Sequence, residues 1–238
     1  MNIQETLQQL SYLRLPGMRH AIEQQLNSPK TFDLSFEERI SLIVQNEIVG
    51  RENNKIKNLV KNAKFMITIS ADDLNYQNLD KSQISDILSL NWISKNNIII
   101  TGATGTGKTY LASAIGNQAC RSKISTLYFK TSELIDKIIS SKLDGSYAKL
   151  FAKLLKPELL IIDDFGLQKL DKIDNAILDI FDHRYYSKSN IFVGQLPTSK
   201  WHNLFSNPTI ADALLDRIVS NAINVSLKGE SLRKRKTN

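Results

Sequence analysis

Between Gly102 and Tyr110 the chain reads GATGTGKTY, a stretch of glycines, hydroxyls and one lysine suited to holding phosphate. It fits the pattern G-x-x-x-x-G-K-[ST], with Gly102, Gly107, Lys108 and Thr109 in the fixed places. Glycines at 102, 105 and 107 allow positive φ and bring backbone N–H groups close to phosphate oxygens; Ala103, Thr104, Thr106 and Tyr110 complete the stretch. Lys108 sets an ammonium on the β and γ phosphates, and the Thr109 hydroxyl can ligate Mg²⁺. Tyr110 to Cys120 reads as a helix whose N-terminal dipole faces the same phosphates. A chance glycine-rich turn is the competing reading, and the strand–loop–helix context from NIIIT to LASAIG counts against it. The cofactors this chemistry calls for are ATP and Mg²⁺.

A second half-site lies downstream. PELLIIDDF, Pro157 to Phe165, is an apolar run ending in two carboxylates. Buried parallel strands read as near-continuous apolar runs, and ligands of such sheets sit at the carboxyl ends of the strands. Asp163 would hold Mg²⁺ through its water shell, and Asp164 would orient and activate the attacking water. A lone pair of aspartates at a strand end is usually a solvated turn; behind ELLII and downstream of the phosphate loop, the catalytic reading prevails. Gln195 ends the run NIFVG, where an amide could contact the γ-phosphate or the attacking water. An ordinary polar residue before the turn at Pro197 would look the same. Arg217, in LLDRIV, follows a helical stretch from Ala211 to Leu215 and precedes the last strand. It could reach a neighbouring subunit's phosphate, or pair with Asp212, Asp216 or another local carboxylate.

The elements that must position these residues change character near residue 70. From 97 onward strands alternate with helices: NIIIT, STLYF at 125–129, ELLIID at 158–163, NIFVG at 190–194 and INVSL at 223–227. That alternation predicts a parallel sheet covered on both faces. Before residue 70 only helical spacing is visible. Residues 3–15 place Ile3, Leu7, Leu10 and Leu13 or Leu15 near one face until Pro16-Gly17 breaks the helix. A second helix carries Met18, Ala21, Ile22 and Leu26. A third starts at Ser35 with a Ser35/Glu38 capping box and carries Phe36, Ile40, Ile43, Val44 and Ile48. Residues 70–96 read as a polar connector, SADDLNYQNLD, and then an amphipathic segment with Ile84, Ile87, Leu88 and Trp92. The expected organisation is a helical N-terminal domain over 1–70 and an α/β core over 71–238.

Composition bounds the rest. At 238 residues, 42% hydrophobic and 23% charged, the chain can bury a sizeable core in one domain with a small appendage. The single cysteine, Cys120, excludes an internal disulfide framework and suits a reducing compartment. No apolar run approaches a membrane span and MNIQETLQQL does not read as a signal peptide, so a cytoplasmic location without a membrane partner is expected. A net charge of +7 points toward a polyanionic partner.

The order GATGTGKT, LLIIDDFG, QLPTSKW, LLDRIV and GESLRK resembles the IstB-like branch of the AAA+ ATPases. These helper ATPases are encoded beside a transposase in bacterial insertion sequences and are relatives of the DnaC helicase loaders. LRLPGMRHAIEQQL, LSFEERISLIVQNE and LNWISKNNIIITG resemble the same family, so the likeness runs from about residue 4 to 233. The phosphate loop and acidic pair are common to many ATPases; LPGM–SFEER and GESLR discriminate better.

The resemblance implies a three-layer AAA+ core around a central parallel sheet, without the usual C-terminal helical lid. It makes Gly102 to Thr109 the Walker A loop and Asp163 the Walker B magnesium carboxylate. Asp164 stands where most AAA+ proteins have glutamate; aspartate is familiar in this branch, and its shorter side chain implies slow hydrolysis. Gln195 falls at the sensor-1 position, where asparagine is usual. Arg217 resembles the arginine finger and Arg233, in GESLR, the sensor-2 arginine. A finger acting in trans implies ATP-promoted homo-oligomers, with assembly tightening ATP binding in return.

The family places DNA contacts largely after the second strand, here TSELIDKIISSKLDGSYAKLFAKLLK, with Lys137, Lys142, Lys149 and Lys153 as candidate phosphate contacts. Lys57, Lys61 and Lys64 form a second row on the N-terminal unit; either row alone is more often a solvated helix face. With no base-reading motif, contacts to double-stranded DNA should be largely sequence-independent. The implied function is ATP-driven oligomerisation on target DNA, remodelling of that DNA, and recruitment of the cognate transposase, which stimulates hydrolysis. No nuclease constellation is visible, so cutting and joining fall to the transposase. The rival readings are a DnaC-like helicase loader preferring single strands, against which LPGM–SFEER argues, and a nucleotide-gated scaffold with negligible turnover. A P-loop small-molecule kinase would need an acceptor-binding signature, and none follows the Walker A helix.

Overall fold

A computed structural model of the chain describes residues 2–71 and 80–228. The packing divides into two compact units, Met1–Asn58 and Leu59–Asn238.

The smaller unit is built from helices. Helix α1 (Ile3–Tyr12) starts at Asn2, whose side chain accepts the Gln4 amide while Glu5 accepts the Asn2 amide. It stops short of the predicted residue 15 because Arg14 takes a left-handed conformation, φ +58°. Pro16 does more than break a helix: it opens α2 (Pro16–Asn27), where a missing N–H is no loss because the first amides of a helix lack internal acceptors. Gly17 follows because a Cβ there would lie 2.6 Å from the Glu47 backbone. The close approach also lets the Glu47 carboxylate accept the amides of Gly17 (2.7 Å) and Met18 (3.2 Å) and a hydrogen bond from Arg51 Nε (2.6 Å). Helix α3 (Phe36–Ala63) begins with the predicted capping box, Ser35 and Glu38 exchanging hydrogen bonds of 2.8 and 3.2 Å. Of its spaced residues Phe36, Ile40, Ile43, Val44 and Ile48, only Ile43 is buried.

The division between units falls inside α3. The sequence changes character near residue 70, but residues from Leu59 onward pack with the larger unit. Phe65 lies against Gly116, and Asn117 Nδ2 donates to the Ile69 carbonyl at 2.6 Å.

The larger unit contains α4 (Lys81–Leu88), β1 (Asn97–Gly102), α5 (Lys108–Arg121), β2 (Thr126–Lys130), α6 (Thr131–Leu143) and α7 (Tyr147–Leu155). There follow β3 (Leu159–Phe165), α8 (Asp174–Arg184), β4 (Ser189–Gly194), α9 (Pro208–Val219) and β5 (Ala222–Leu227). The five strands form one parallel sheet in the order β2-β3-β4-β1-β5, which is the α/β architecture predicted. Side chains alternate across it. Ile98, Ile100, Ile161 and Val193 join one core layer with α4 and α5; Ile99, Leu160, Ile162 and Phe192 join the other with α6 to α9. Among the described residues no helix is long and apolar enough to cross a membrane.

At the amino ends of the strands a buried polar network ties the layers together. Arg184, fully buried, donates to Asn190 Oδ1 (2.7 Å) and to the carbonyls of Leu154 (2.9 Å), Pro157 (2.9 Å) and Ser189 (2.8 Å). Burial pulls its guanidinium down to about 9, so it stays charged near neutral pH. Asn190 donates in turn to Asn97 Oδ1 at 2.9 Å, and Asn97 Nδ2 donates to the carbonyls of Arg217 and Ile218.

Burial opposes the Glu47 charge, but the Arg51 hydrogen bond and the two backbone amides prevail and hold its carboxyl below the usual range. An unfolded glutamate titrates near about 4.3. As pH falls through this range the unfolded chain takes up the proton first, so the stabilisation present above it is lost. Acid titration followed by helical circular dichroism should therefore show Glu47→Gln flattening the decline of stability below about pH 4.3. A Glu47→Gln protein with the wild-type acid dependence would assign that decline elsewhere.

Candidate functional site

The phosphate loop spans the end of β1 and the start of α5. Gly107 caps α5 with φ +93°, a left-handed turn that only glycine enters freely. The turn leaves the first amides of α5 without intrahelical acceptors, as an anion site needs. Lys108 Nζ donates to the carbonyls of Gly102 (2.8 Å) and Ala103 (2.7 Å), so its ammonium is folded over the loop it begins. Thr106 Oγ1 donates to the Ala103 carbonyl (2.9 Å), and Thr109 is half-buried in the first helical turn. Gly105 carries φ +85°, and Tyr110 is exposed.

Asp163 and Asp164 end β3 next to this loop's sheet layer. Asp163 is only 2% exposed, yet both carboxylate oxygens have donors. The Tyr128 hydroxyl donates to Oδ2 (2.7 Å), and the Asp164 amide donates to Oδ1 (2.7 Å). Thr131 Oγ1, at the start of α6, donates to the Asp163 carbonyl at 2.9 Å. Burial first, and the Asp163 hydrogen bond second, push the Tyr128 phenol far above its ordinary value, so it remains a donor. Asp164 is left-handed, φ +58°, and sits in a register shift between Ile162 and Phe165. Such a bulge turns the second carboxylate out of the strand's alternation while the first stays buried.

Gln195 follows β4 and is exposed. Its Oε1 accepts a hydrogen bond from Thr104 Oγ1 (3.0 Å), so the side chain meets the phosphate loop. Phosphate loop, acidic pair and glutamine thus lie together at the carboxyl ends of β1, β3 and β4. The donors fit Mg²⁺-nucleotide: loop amides and one lysine for phosphate, one hydroxyl and a buried carboxylate for a cation that keeps most of its waters.

Arg217 lies elsewhere. The sequence predicts it beyond a helix; the structure puts it in the last turn of α9, because Asn207 caps that helix and it runs unbroken to Val219. Its Nε donates to Asp182 Oδ1 on α8 (2.5 Å) and its Nη1 to the Ala213 carbonyl (2.7 Å). Neither Asp212 nor Asp216 is the partner; Asp212 faces His202 at 3.3 Å. The Arg217 carbonyl is bonded to Asn97, at the opposite end of β1 from Gly102. Six residues of strand separate those ends, roughly 17 Å. Arg233 lies outside the described residues.

The predicted basic rows also acquire positions. TSELIDKIISSKLDGSYAKLFAKLLK forms two helices, parted at Gly145, φ +75°. Lys137 pairs with Glu133 (3.4 Å), Lys142 lies 5.5 Å from the centre of the Tyr147 ring, and Lys149 is exposed. The Lys153 ammonium is drawn below the ordinary lysine range by partial burial, then by the charges of Lys64 and Lys137. Lys64, just past the end of α3 with φ +59°, therefore belongs with Lys137 and Lys153. Lys57 and Lys61 are exposed along α3.

Two residues that sequence reasoning passed over shape the site, Tyr128 and Thr131, and a third, Asp182, holds Arg217 away from it. Tyr128 had a signal, a lone hydroxyl in the apolar run STLYF. Only the β2–β3 register, with Tyr128 opposite Ile161, brings that hydroxyl to Asp163.

The family profile of IstB-like ATP binding proteins matches residues 8–238. An insertion sequence ATP-binding protein of Sinorhizobium fredii is 36% identical over 234 residues, 96% of each chain. One of Pseudomonas fluorescens is 38% identical over 207 residues, 84% of this chain and 89% of its own. The crystal structure of DnaI shares the fold, with a TM-score of 0.60 at 18% identity over 72% of this chain and 94% of that one.

A charge-assisted contact of the kind Lys108 supplies is worth about 1.5–3 kcal/mol. Titration with a fluorescent ATP analogue should show Lys108→Ala binding roughly ten- to a hundredfold more weakly, with the wild-type melting temperature.

Proposed function

This chain belongs to the family of IstB-like ATP-binding proteins, as an ATPase of the AAA+ DnaC/IstB branch, and from that premise we propose that it is the ATP-dependent helper of a DNA transposase. ATP drives its assembly on double-stranded target DNA, the assembly bends or remodels that DNA, and the transposase it recruits stimulates hydrolysis and release. The relatives named for insertion sequences support the transposase as partner. Residues 1–58 act in this reading as the domain that meets the partner, and 59–238 as the ATPase core, in the cytoplasm.

The observation that carries the reading is the distance between Arg217 and its own phosphate loop. An arginine held at the amino ends of the strands serves a neighbour's phosphates, so a competent site needs two copies of the chain. Bound ATP supplies the phosphoanhydride, with Mg²⁺ offsetting its charge. Lys108 exchanges the loop carbonyls for β- and γ-phosphate oxygens. Thr109 and Asp163 would hold the cation. Asp164 orients the attacking water and draws its proton, and Gln195 contacts that water or the γ-phosphate. Arg217 must leave Asp182 to reach the neighbouring site, and Arg233 serves as the second sensor. A short carboxylate at 164 and a finger held by its own subunit both favour slow turnover until a partner acts.

For DNA, the charges of Lys64, Lys137 and Lys153 in the larger unit support a backbone contact, Lys61, Lys142 and Lys149 of the same unit are further candidates, and Lys57 is a separate candidate on the smaller unit.

Light scattering with duplex DNA and ATP should reveal a large, defined oligomer that Lys108→Ala and Arg217→Ala each abolish. Mixing the two inactive variants in equal amounts should restore part of the hydrolysis, because a competent interface forms where the intact loop of one variant meets the intact finger of the other. No recovery on mixing would place the arginine's role within one subunit, and a monomer that prefers single strands would favour a helicase loader.

Lys137→Ala and Lys153→Ala should each reduce the slope of log K against log salt for duplex binding by about one, uniformly across sequences. Slopes unchanged in both would move the DNA contact off this surface.

A further inference from the structure

Tyr128 is 4% exposed in a strand whose other side chains are apolar apart from its ends, and a phenylalanine would fill the same space. The hydroxyl is what needs explaining. It sits opposite Ile161 in register, on the sheet face that carries α5, and reaches diagonally to Asp163 Oδ2 at 2.7 Å. The other oxygen, Oδ1, takes the Asp164 amide at 2.7 Å. A carboxylate offers about four acceptor directions, so two remain for the water shell of a cation. With one donor on each oxygen, the carboxylate plane cannot turn without breaking a buried hydrogen bond. With the Tyr128 donor removed, Oδ2 would lose the buried hydrogen bond that fixes its direction.

The geometry points to Tyr128 as the positioning residue of the magnesium carboxylate: its hydroxyl holds the Asp163 plane so that the two remaining acceptor directions face the cation's waters. Tyr128 thereby sets the metal-linked part of nucleotide affinity without touching nucleotide or metal. This rests on the reading of Asp163 as the Mg²⁺ carboxylate, and the experiment separates the two.

Full-length protein is titrated with a fluorescent, non-hydrolysable ATP analogue, once in excess Mg²⁺ and once in excess EDTA. The ratio of the two dissociation constants isolates the metal's contribution. A loosened fold would weaken both arms and leave the ratio alone. Tyr128→Phe should reduce that ratio about tenfold, the scale on which partners of metal ligands act, while affinity in EDTA stays at the wild-type value. Asp163→Asn should abolish most of the ratio. If Asp163→Asn lowers it and Tyr128→Phe does not, the positioning role is wrong and the site stands. If Asp163→Asn leaves the ratio intact, the magnesium reading falls and the inference with it. Should Tyr128→Phe fail to fold, 3-fluorotyrosine placed at position 128 alone keeps the hydroxyl and reports the same coupling. Its fluorine resonance should shift when Mg²⁺ is added to nucleotide-loaded protein, and an unmoved resonance would overturn the proposal.

Discussion

A carboxylate buried to 2% exposure needs hydrogen bonds in place of the water it has lost, and that requirement on Asp163 shapes the carboxyl end of the sheet. One oxygen needs a donor from the neighbouring strand, which obliges β2 to lie beside β3 in the register that puts Tyr128 opposite Ile161. The other takes the amide of the next residue, which a left-handed Asp164 presents. The bulge that results separates two adjacent acids, one buried against Tyr128 and one turned out of the strand's alternation. Two identical side chains thereby acquire different environments.

The opposite end of the sheet obeys the same rule with the sign reversed. Arg184 is a buried cation whose described partners are neutral: three carbonyls and the Asn190 side chain. A planar guanidinium can be satisfied this way because its donors fan out in fixed directions. Through Asn190 and Asn97 the network reaches the backbone of Arg217, so the helix that carries that arginine is anchored to β1 and β4. The Arg217 side chain, half-buried against Asp182, is bound far less deeply than its backbone.

Much of the fold was legible because parallel strands buried on both faces must be apolar throughout, and five such runs alternating with helices admit few arrangements. Helix ends were less legible. Arg14 and Lys64 adopt left-handed conformations that their residue types do not announce, and Pro16 reads equally as a stop or a start. The apolar spacing of α3 was correctly helical, yet most of the stripe stays exposed, since spacing says which residues share a face and nothing about what covers it.

By itself the sequence determined the chemistry on offer: a phosphate loop with Lys108 and Thr109, an acidic pair closing an apolar strand, and Gln195 closing another. These are local patterns, set by residue type and by turns within a few positions of each other. Only the tertiary structure decided which groups act together. It seated Tyr128 on Asp163, joined Thr104 to Gln195, gave Arg217 to Asp182, and gathered Lys64 with Lys137 and Lys153. Each pairing depends on strand order and register, and those follow from the packing of the whole core rather than from any stretch of it.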